Sequence, residues 1–285
     1  MDRRIKGILC ILSSAFCFAM MNMFVRLAGD IPSIEKSFFR NFIAALVAFV
    51  LVLKERKSIS VHKKDIPLLL LRSATGTVGI LGNFYAVDHL ILSDATMLNK
   101  MAPFFTLLFS LLFLKEKIKP KVALIVLGAF IGSLFVIKPT FQNVNLGASL
   151  IGFLGGLGAG SAYTCVRALG KRGVSGPVVV LFFSVFSCLV TVPYMIFSFV
   201  PMEITQLFIL LLAGLAAAGG QFSITATYRY APAREISVYD YSQVIFTALI
   251  GWFVFSQIPD ALSLIGYAVI ILMALLMFLS ERKES

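Results

Sequence analysis

The chain has 285 residues, of which 59% are hydrophobic and 14% charged, with a mean hydropathy of +0.94. Soluble globular chains carry roughly 25% charged residues, so the composition excludes a water-soluble domain and indicates an integral membrane protein. The net charge of +11 would suit a nucleic-acid binder only if the basic residues formed one patch, and their placement below shows that they do not. Cys10, Cys17, Cys165 and Cys188 all fall in apolar runs, where thiols act as small packing residues, and their spacing suits neither a disulfide nor a zinc site.

A helix that crosses a bilayer needs about 20 mostly apolar residues. Ten stretches meet or approach this length: Gly7 to Val25, Ser37 to Leu53, Ile66 to Val87, Ala95 to Leu114, Val122 to Ile137, Val144 to Val166, Val178 to Val200, Ile204 to Tyr228, Ile236 to Gln257 and Ala261 to Ser280. The basic start, Met1 to Lys6, followed by an apolar run resembles a signal peptide. The uncharged run is as long as a span, so it reads as a retained first helix.

Lys and Arg collect in short cytoplasmic loops. With the N-terminus inside, the inner loops and termini hold 19 of the 25 basic residues, in groups at 3–6, 54–64, 115–121, 167–172, 229–234 and 282–283. The outer loops hold only Arg26, Lys36 and Lys138, and Arg40, Arg72 and Lys100 fall within spans. Both termini are therefore expected in the cytoplasm of a multi-pass protein of the cell membrane, with no nucleic-acid partner.

Val25-Arg26-Leu27-Ala28-Gly29 returns as Val166-Arg167-Ala168-Leu169-Gly170, an offset of 141. The same register sets Gly79 on Gly220, Asp94 on Glu235, Phe105 on Phe246 and Thr106 on Thr247. Two copies of five spans each, 1–140 and 141–285, must lie inverted because five is odd. An all-α membrane fold of ten spans in two inverted repeats is the architecture of a secondary transporter.

The sequence also resembles the EamA-like branch of the drug/metabolite transporter superfamily. The likeness rests on Phe39-Arg40 opening the second span, Leu92-Ser93-Asp94-Ala95 leading into the fourth, Phe113-Leu114-Lys115-Glu116 ending it, Gly128 in the fifth, and Ala231-Pro232-Ala233 entering the ninth. It implies ten spans as five plus five, cytoplasmic termini, and a small organic cargo that is more often exported. Phe38-Phe39-Arg40 and Leu71-Arg72 resemble the sub-branch of S-adenosylmethionine carriers. Ser256-Gln257 and Val244 depart from the family pattern, the latter standing where the first copy has Pro103.

An ionised side chain within a span costs at least about 2.5 kcal/mol, so it belongs where it meets protein, water or ligand. Lys100 lies about 12 Å inside its helix at ~1.5 Å per residue, which suits binding of a carboxylate or phosphate. A fixed structural ion pair is the alternative. Asp240, nearer the other face, suits a cationic group or uptake of a proton, or pairs with Arg229 or Arg234. The repeat register sets Asp240 on Asn99 and Tyr241 on Lys100, close to the pseudo-twofold axis. A cavity holding both charges suits a zwitterionic, amino-acid-like cargo.

Arg72, Tyr85, Tyr163, Tyr239 and Gln243 complete the candidate binding set with Asn99, Lys100, Asp240 and Tyr241. Tyrosine faces are open to organic cations, and buried amides such as Asn83, Gln221 and Gln243 must find partners. Arg40 reads as a tether of the second span to backbone carbonyls. Gly152, Gly156 and Gly160 are spaced for close helix packing, Pro103 and Pro193 for kinks that turn carbonyls toward a cavity.

The function read from the sequence is secondary active transport of a small organic metabolite, with lipid as surroundings and a proton or counter-substrate as driving partner. An S-adenosylmethionine-like cation is the runner-up cargo, and a passive channel the alternative of another class. His62 and His89 give no metal pair and no nucleophile has a recognisable base, so neither an enzyme, a cofactor nor a metal is expected. A homodimer is compatible with this reading.

Overall fold

A computed structural model describes residues 3–54, 61–114, 120–138, 145–230 and 237–282. The Lys115-Glu116 and Ala231-Pro232-Ala233 motifs, the loop residues Arg56, Lys57, Lys117, Lys119, Arg234 and Lys283, and the 140/141 repeat boundary lie outside the described residues. The elements are α1 (Arg3–Leu27), α2 (Ser33–Lys54), a 3-10 turn (Lys63–Asp65), α3 (Ile66–His89), α4 (Leu92–Asn99), α5 (Ala102–Leu114), α6 (Pro120–Ile137), α7 (Leu146–Lys171), α8 (Gly176–Ser198), α9 (Ile204–Tyr230), a second 3-10 turn (Ser237–Tyr241), α10 (Ser242–Phe255) and α11 (Ala261–Arg282). All are helical, and α1, α2, α7, α8 and α9 are long and apolar enough by themselves to cross a membrane.

Two spans differ from their expected form. The fourth is broken at Lys100-Met101 into α4 and α5, and the ninth opens with a 3-10 turn before α10. Pro103 accounts for the first break, because it has no N–H for the Asn99 carbonyl four residues back. Around the gap, Met101 N–H bonds the Leu98 carbonyl and Phe104 N–H the Met101 carbonyl, both three residues apart. Val244 retains its N–H, and there the turn runs straight into α10. The second span begins at Ser33, earlier than expected, so Lys36 sits inside its first turn instead of in a loop.

The fourth span lies at the centre, with Leu92, Ala95, Met97, Leu98 and Met101 all buried. Around it α1 packs on α9, α3 on α7, α2 on α8 and α6 on α11. Under the 141-residue register, the α1–α9 contact is the α7–α3 contact with the copies exchanged. Large apolar side chains such as Val50, Leu189, Phe197, Phe253 and Leu264 remain outside, as lipid-facing surfaces require.

Glycine sets the closest approach. A Cβ on Gly82 would stand 2.8 Å from the Gly155 Cα, and one on Gly156 2.5 Å from the Leu98 carbonyl oxygen. The expected packing face of α7 thus cradles the break in the fourth span. Pro193 lies inside α8, whereas Pro103 follows the gap instead of kinking a continuous helix.

At the end of the bundle away from the chain termini, polar ties join successive helix ends. Arg26 Nη1 donates to the Leu90 carbonyl at 2.6 Å and to the Gln257 side chain at 3.2 Å. Buried Lys36 pairs with Asp88 at 2.6 Å, the Val200 N–H donates to Glu35 at 2.8 Å, and Lys138 pairs with Asp260 at 2.7 Å. The Tyr267 hydroxyl bonds the Asp94 carboxylate and lies 2.9 Å from the Ser93 hydroxyl, which gives the Ser93-Asp94 motif a role in anchoring α4 to α11.

Candidate functional site

A cavity with about 780 Å³ of atom-free space, part of it open to solvent, lies between α1, α2, α3, α7, α8, α9 and the two interrupted spans. Its charged lining residues are Arg40, Arg72, Lys100 and Asp240. Lys100 Nζ stands 2.5 Å from Asp240 Oδ2, with both side chains largely buried. Both residues sit at an interruption: Lys100 ends α4, and Asp240 lies in the 3-10 turn before α10.

The geometry around this pair is nearly reciprocal. The Tyr241 hydroxyl donates to the Lys100 carbonyl at 3.1 Å, so the break leaves that acceptor satisfied by the repeat-equivalent residue. Asp240 Oδ1 has no partner among the described residues. A chain of amides continues the polar wall: Asn83 donates to Asn22 and Asn22 to the Thr96 hydroxyl, each at 3.2 Å. Asn83 Oδ1 is also buried without a partner. Unpaired acceptors of this kind are costly unless something donates to them.

Of the residues singled out from the sequence, the fold brings Asn99, Lys100, Asp240, Gln243, Arg72 and Tyr163 to this cavity. Three tyrosines go elsewhere. Tyr85 points outward and stacks on His89 with ring centroids 4.1 Å apart, because it shares the outward face of α3 with exposed Val78 and His89. Tyr239 is exposed, and Tyr241 is buried with its hydroxyl on backbone; neither lines the cavity.

Sequence reasoning missed Asn22 and Phe183 and treated Arg40 as a tether. Asn22 is a buried amide inside an apolar span, a signal of the same kind as Asn83. Phe183 is one of 27 phenylalanines and carries no mark of its position. Arg40 lines the cavity, and its Nη1 donates to the neighbouring Asn41 side chain at 2.6 Å, not to a carbonyl.

The EamA-like transporter family model matches residues 5–138. The pseudopaline exporter CntI of Pseudomonas aeruginosa is 31% identical over 268 residues, covering 93% of either chain. The chain belongs to the EamA-like transporter family. It is a multi-pass membrane transporter of the drug/metabolite superfamily. Human solute carrier family 35 member G1 is 27% identical over 89% of this chain and 73% of its own length. A riboflavin transporter of Brucella anthropi is 25% identical over 89% of this chain and 92% of its own. A solved crystal structure superposes with a TM-score of 0.67 over 98% of this chain and 99% of its own, at 15% identity, a likeness of fold alone.

Among the described residues, the cavity of this EamA-like fold offers three cations, one carboxylate, several amides and the Tyr163 side chain in a wall of apolar side chains and glycine. A few directed polar groups in an apolar, concave wall are the usual lining of a small-molecule pocket.

Proposed function

We propose that this EamA-like transporter is a secondary active carrier that exports a small, amino-acid-like metabolite by alternating access. The observation that carries the reading is the Lys100–Asp240 pair, 2.5 Å apart, at interruptions of two repeat-equivalent spans. Residues 1–140 and 141–285 are two inverted repeats, and the pair bridges them near their common axis. A cargo carboxylate replaces Asp240 at Lys100 while a cargo amine replaces Lys100 at Asp240. The pair thus closes on itself when empty and opens on a zwitterion, an exchange of partners that leaves neither charge uncompensated.

The polar ties at the far end of the bundle support a state closed on the outside, with cytoplasmic termini and cargo entering from the cytoplasm of the cell membrane. Export also agrees with the named function of the Pseudomonas aeruginosa relative. Among the described residues, three lining cations against one carboxylate argue against an organic cation as cargo. A proton taken up by Asp240, or a counter-substrate, supplies the drive.

Counterflow into vesicles containing the purified chain tests this reading. Saturable exchange of a zwitterionic amino-acid analogue is expected, and it should be lost in Lys100→Met and Asp240→Asn. Unchanged uptake in both variants removes the pair from the mechanism. A pH-gradient dependence that survives in Asp240→Asn removes that residue from proton coupling.

A further inference from the structure

Arg40 and Arg72 enter the cavity wall from α2 and α3 and are 6% and 5% exposed. Both guanidinium groups gather at one ring: Arg72 Cζ stands 3.7 Å from the Phe183 centroid and Arg40 Cζ 5.8 Å from it. An aromatic face eases burial of a cation, but it accepts no directed hydrogen bonds from the guanidinium edge and does not remove the repulsion between like charges. No carboxylate lies within ion-pair distance of either arginine among the described residues.

The donors are correspondingly idle. Arg40 Nε and Arg72 Nε and Nη1 are buried and find no acceptor among the described residues. Arg40 is nevertheless held in place, because the Asn41 side chain that accepts from its Nη1 donates to the Ser37 carbonyl and to the Ser187 hydroxyl of α8, at 2.8 and 2.9 Å. Room for Arg72 comes from Gly76, one turn along α3. A Cβ there would stand 2.7 Å from Arg72 Nη1 and 3.0 Å from the Phe183 ring. Two positioned, unneutralised guanidiniums in a membrane interior are expensive, and they match the planar oxygens of carboxylate or phosphate.

Resting on the transport reading above, we infer that Arg40 and Arg72 form a second anion subsite in the cargo cavity. The cargo therefore carries at least one carboxylate or phosphate group besides the one received at Lys100. With Lys100 and Asp240 answering one positive and one negative group, the arginines make the preferred cargo net anionic. Phe183 and Gly76 are positioning residues: the ring orients the guanidiniums and the glycine leaves space for Arg72.

Thermal melting of the purified full chain in detergent tests this, with citrate or inorganic phosphate compared against chloride at matched ionic strength. One of the two anions is expected to raise the melting temperature by about 3 °C or more, and the better one identifies the preferred group. The rise should vanish in Arg40→Met and in Arg72→Met. Arg72→Met should melt at or above the wild type without anion, whereas Arg40→Met also orphans the buried Asn41 acceptor and melts lower on that account. No anion-specific rise, a rise that survives in Arg72→Met, or an Arg72→Met variant that melts lower or fails to fold makes the arginines structural and overturns the inference. Asp240→Asn separates the two proposals. Transport surviving there with the anion rise intact leaves the subsite standing and removes the zwitterion mechanism; a wild type that transports without any anion rise does the reverse.

Discussion

Lys100 and Asp240, at the interruptions of the fourth and ninth spans, neutralise each other at 2.5 Å. Arg40 and Arg72, on unbroken helices, share a phenylalanine ring and, among the described residues, pair with no carboxylate. The two sets line one cavity, yet the fold compensates one with an opposite charge and gives the other only an aromatic face. A compensated pair holds the empty protein together and must be exchanged for cargo; an uncompensated pair does little for the empty protein and waits for cargo. Stability and binding should therefore respond in opposite directions to substitutions in the two places.

The largest effect separating them is expected at the central pair. Removing one partner of a buried ion pair leaves an unpaired charge and costs about 3–5 kcal/mol, so Lys100→Met should lower the melting temperature strongly. The double variant Lys100→Met with Asp240→Asn should regain much of that loss, while Arg72→Met loses nothing. A double variant no more stable than Lys100→Met in a thermal melt would show that the pair is not coupled.

The next effect tests what holds the break in place. Gly156→Ala puts a Cβ about 2.5 Å from the Leu98 carbonyl oxygen, a backbone atom next to the gap, and overpacking of this kind costs about 1–3 kcal/mol. It should loosen the Lys100 side of the cavity and leave the anion response at Arg72 in place. Anion binding and melting temperature, measured on the same variant, separate these outcomes. Tyr241→Phe comes third: it removes the donor to the Lys100 carbonyl and should cost about 1 kcal/mol, the ordinary net worth of such a bond. Retained stability there would mean that water replaces the hydroxyl at the break.

The same contrast explains what could be read before the fold was known. Bilayer thickness forces long apolar runs, so the spans were visible, and the basic residues that interrupt them marked Lys100 and Arg72 at once. Pro103 signalled a kink in the fourth span, but hydropathy does not register a missing N–H, so the full gap at Lys100-Met101 was not legible. Asp240 and Lys100 could be brought together through the 141-residue register. Arg40 and Phe183 have no such relation: one comes from α2 and the other from α8, and the ring is chemically indistinguishable from its many lipid-facing neighbours. Tyr85 and Tyr239 lie outside the cavity wall for the complementary reason, since tyrosine suits an interface as well as a cavity.

The smallest effect concerns a second ion pair, Lys138–Asp260 at 2.7 Å, in which the aspartate side chain is half exposed. Asp260 lies in the loop before α11 and caps it, its Oδ1 accepting from the Ser263 N–H at 2.8 Å. Partial burial pushes the Asp260 carboxyl up, but the hydrogen bonds from Lys138 and from the Ser263 backbone outweigh it and hold the group below the ordinary aspartate range. A carboxyl depressed in the folded state contributes stability that is present above its unfolded pKa of about 3.9 and is lost as pH falls through the folded value. Asp260→Asn keeps a capping oxygen and loses the charge, so it should change stability at pH 7 by well under about 1 kcal/mol and flatten the acid limb of the melting curve below about pH 4. Asp260→Ala loses the cap as well and should cost about 1 kcal/mol. If Asp260→Asn instead destabilises as much as Lys100→Met, burial does not separate the two pairs, and the distinction between a structural surface pair and a central exchangeable one fails with it.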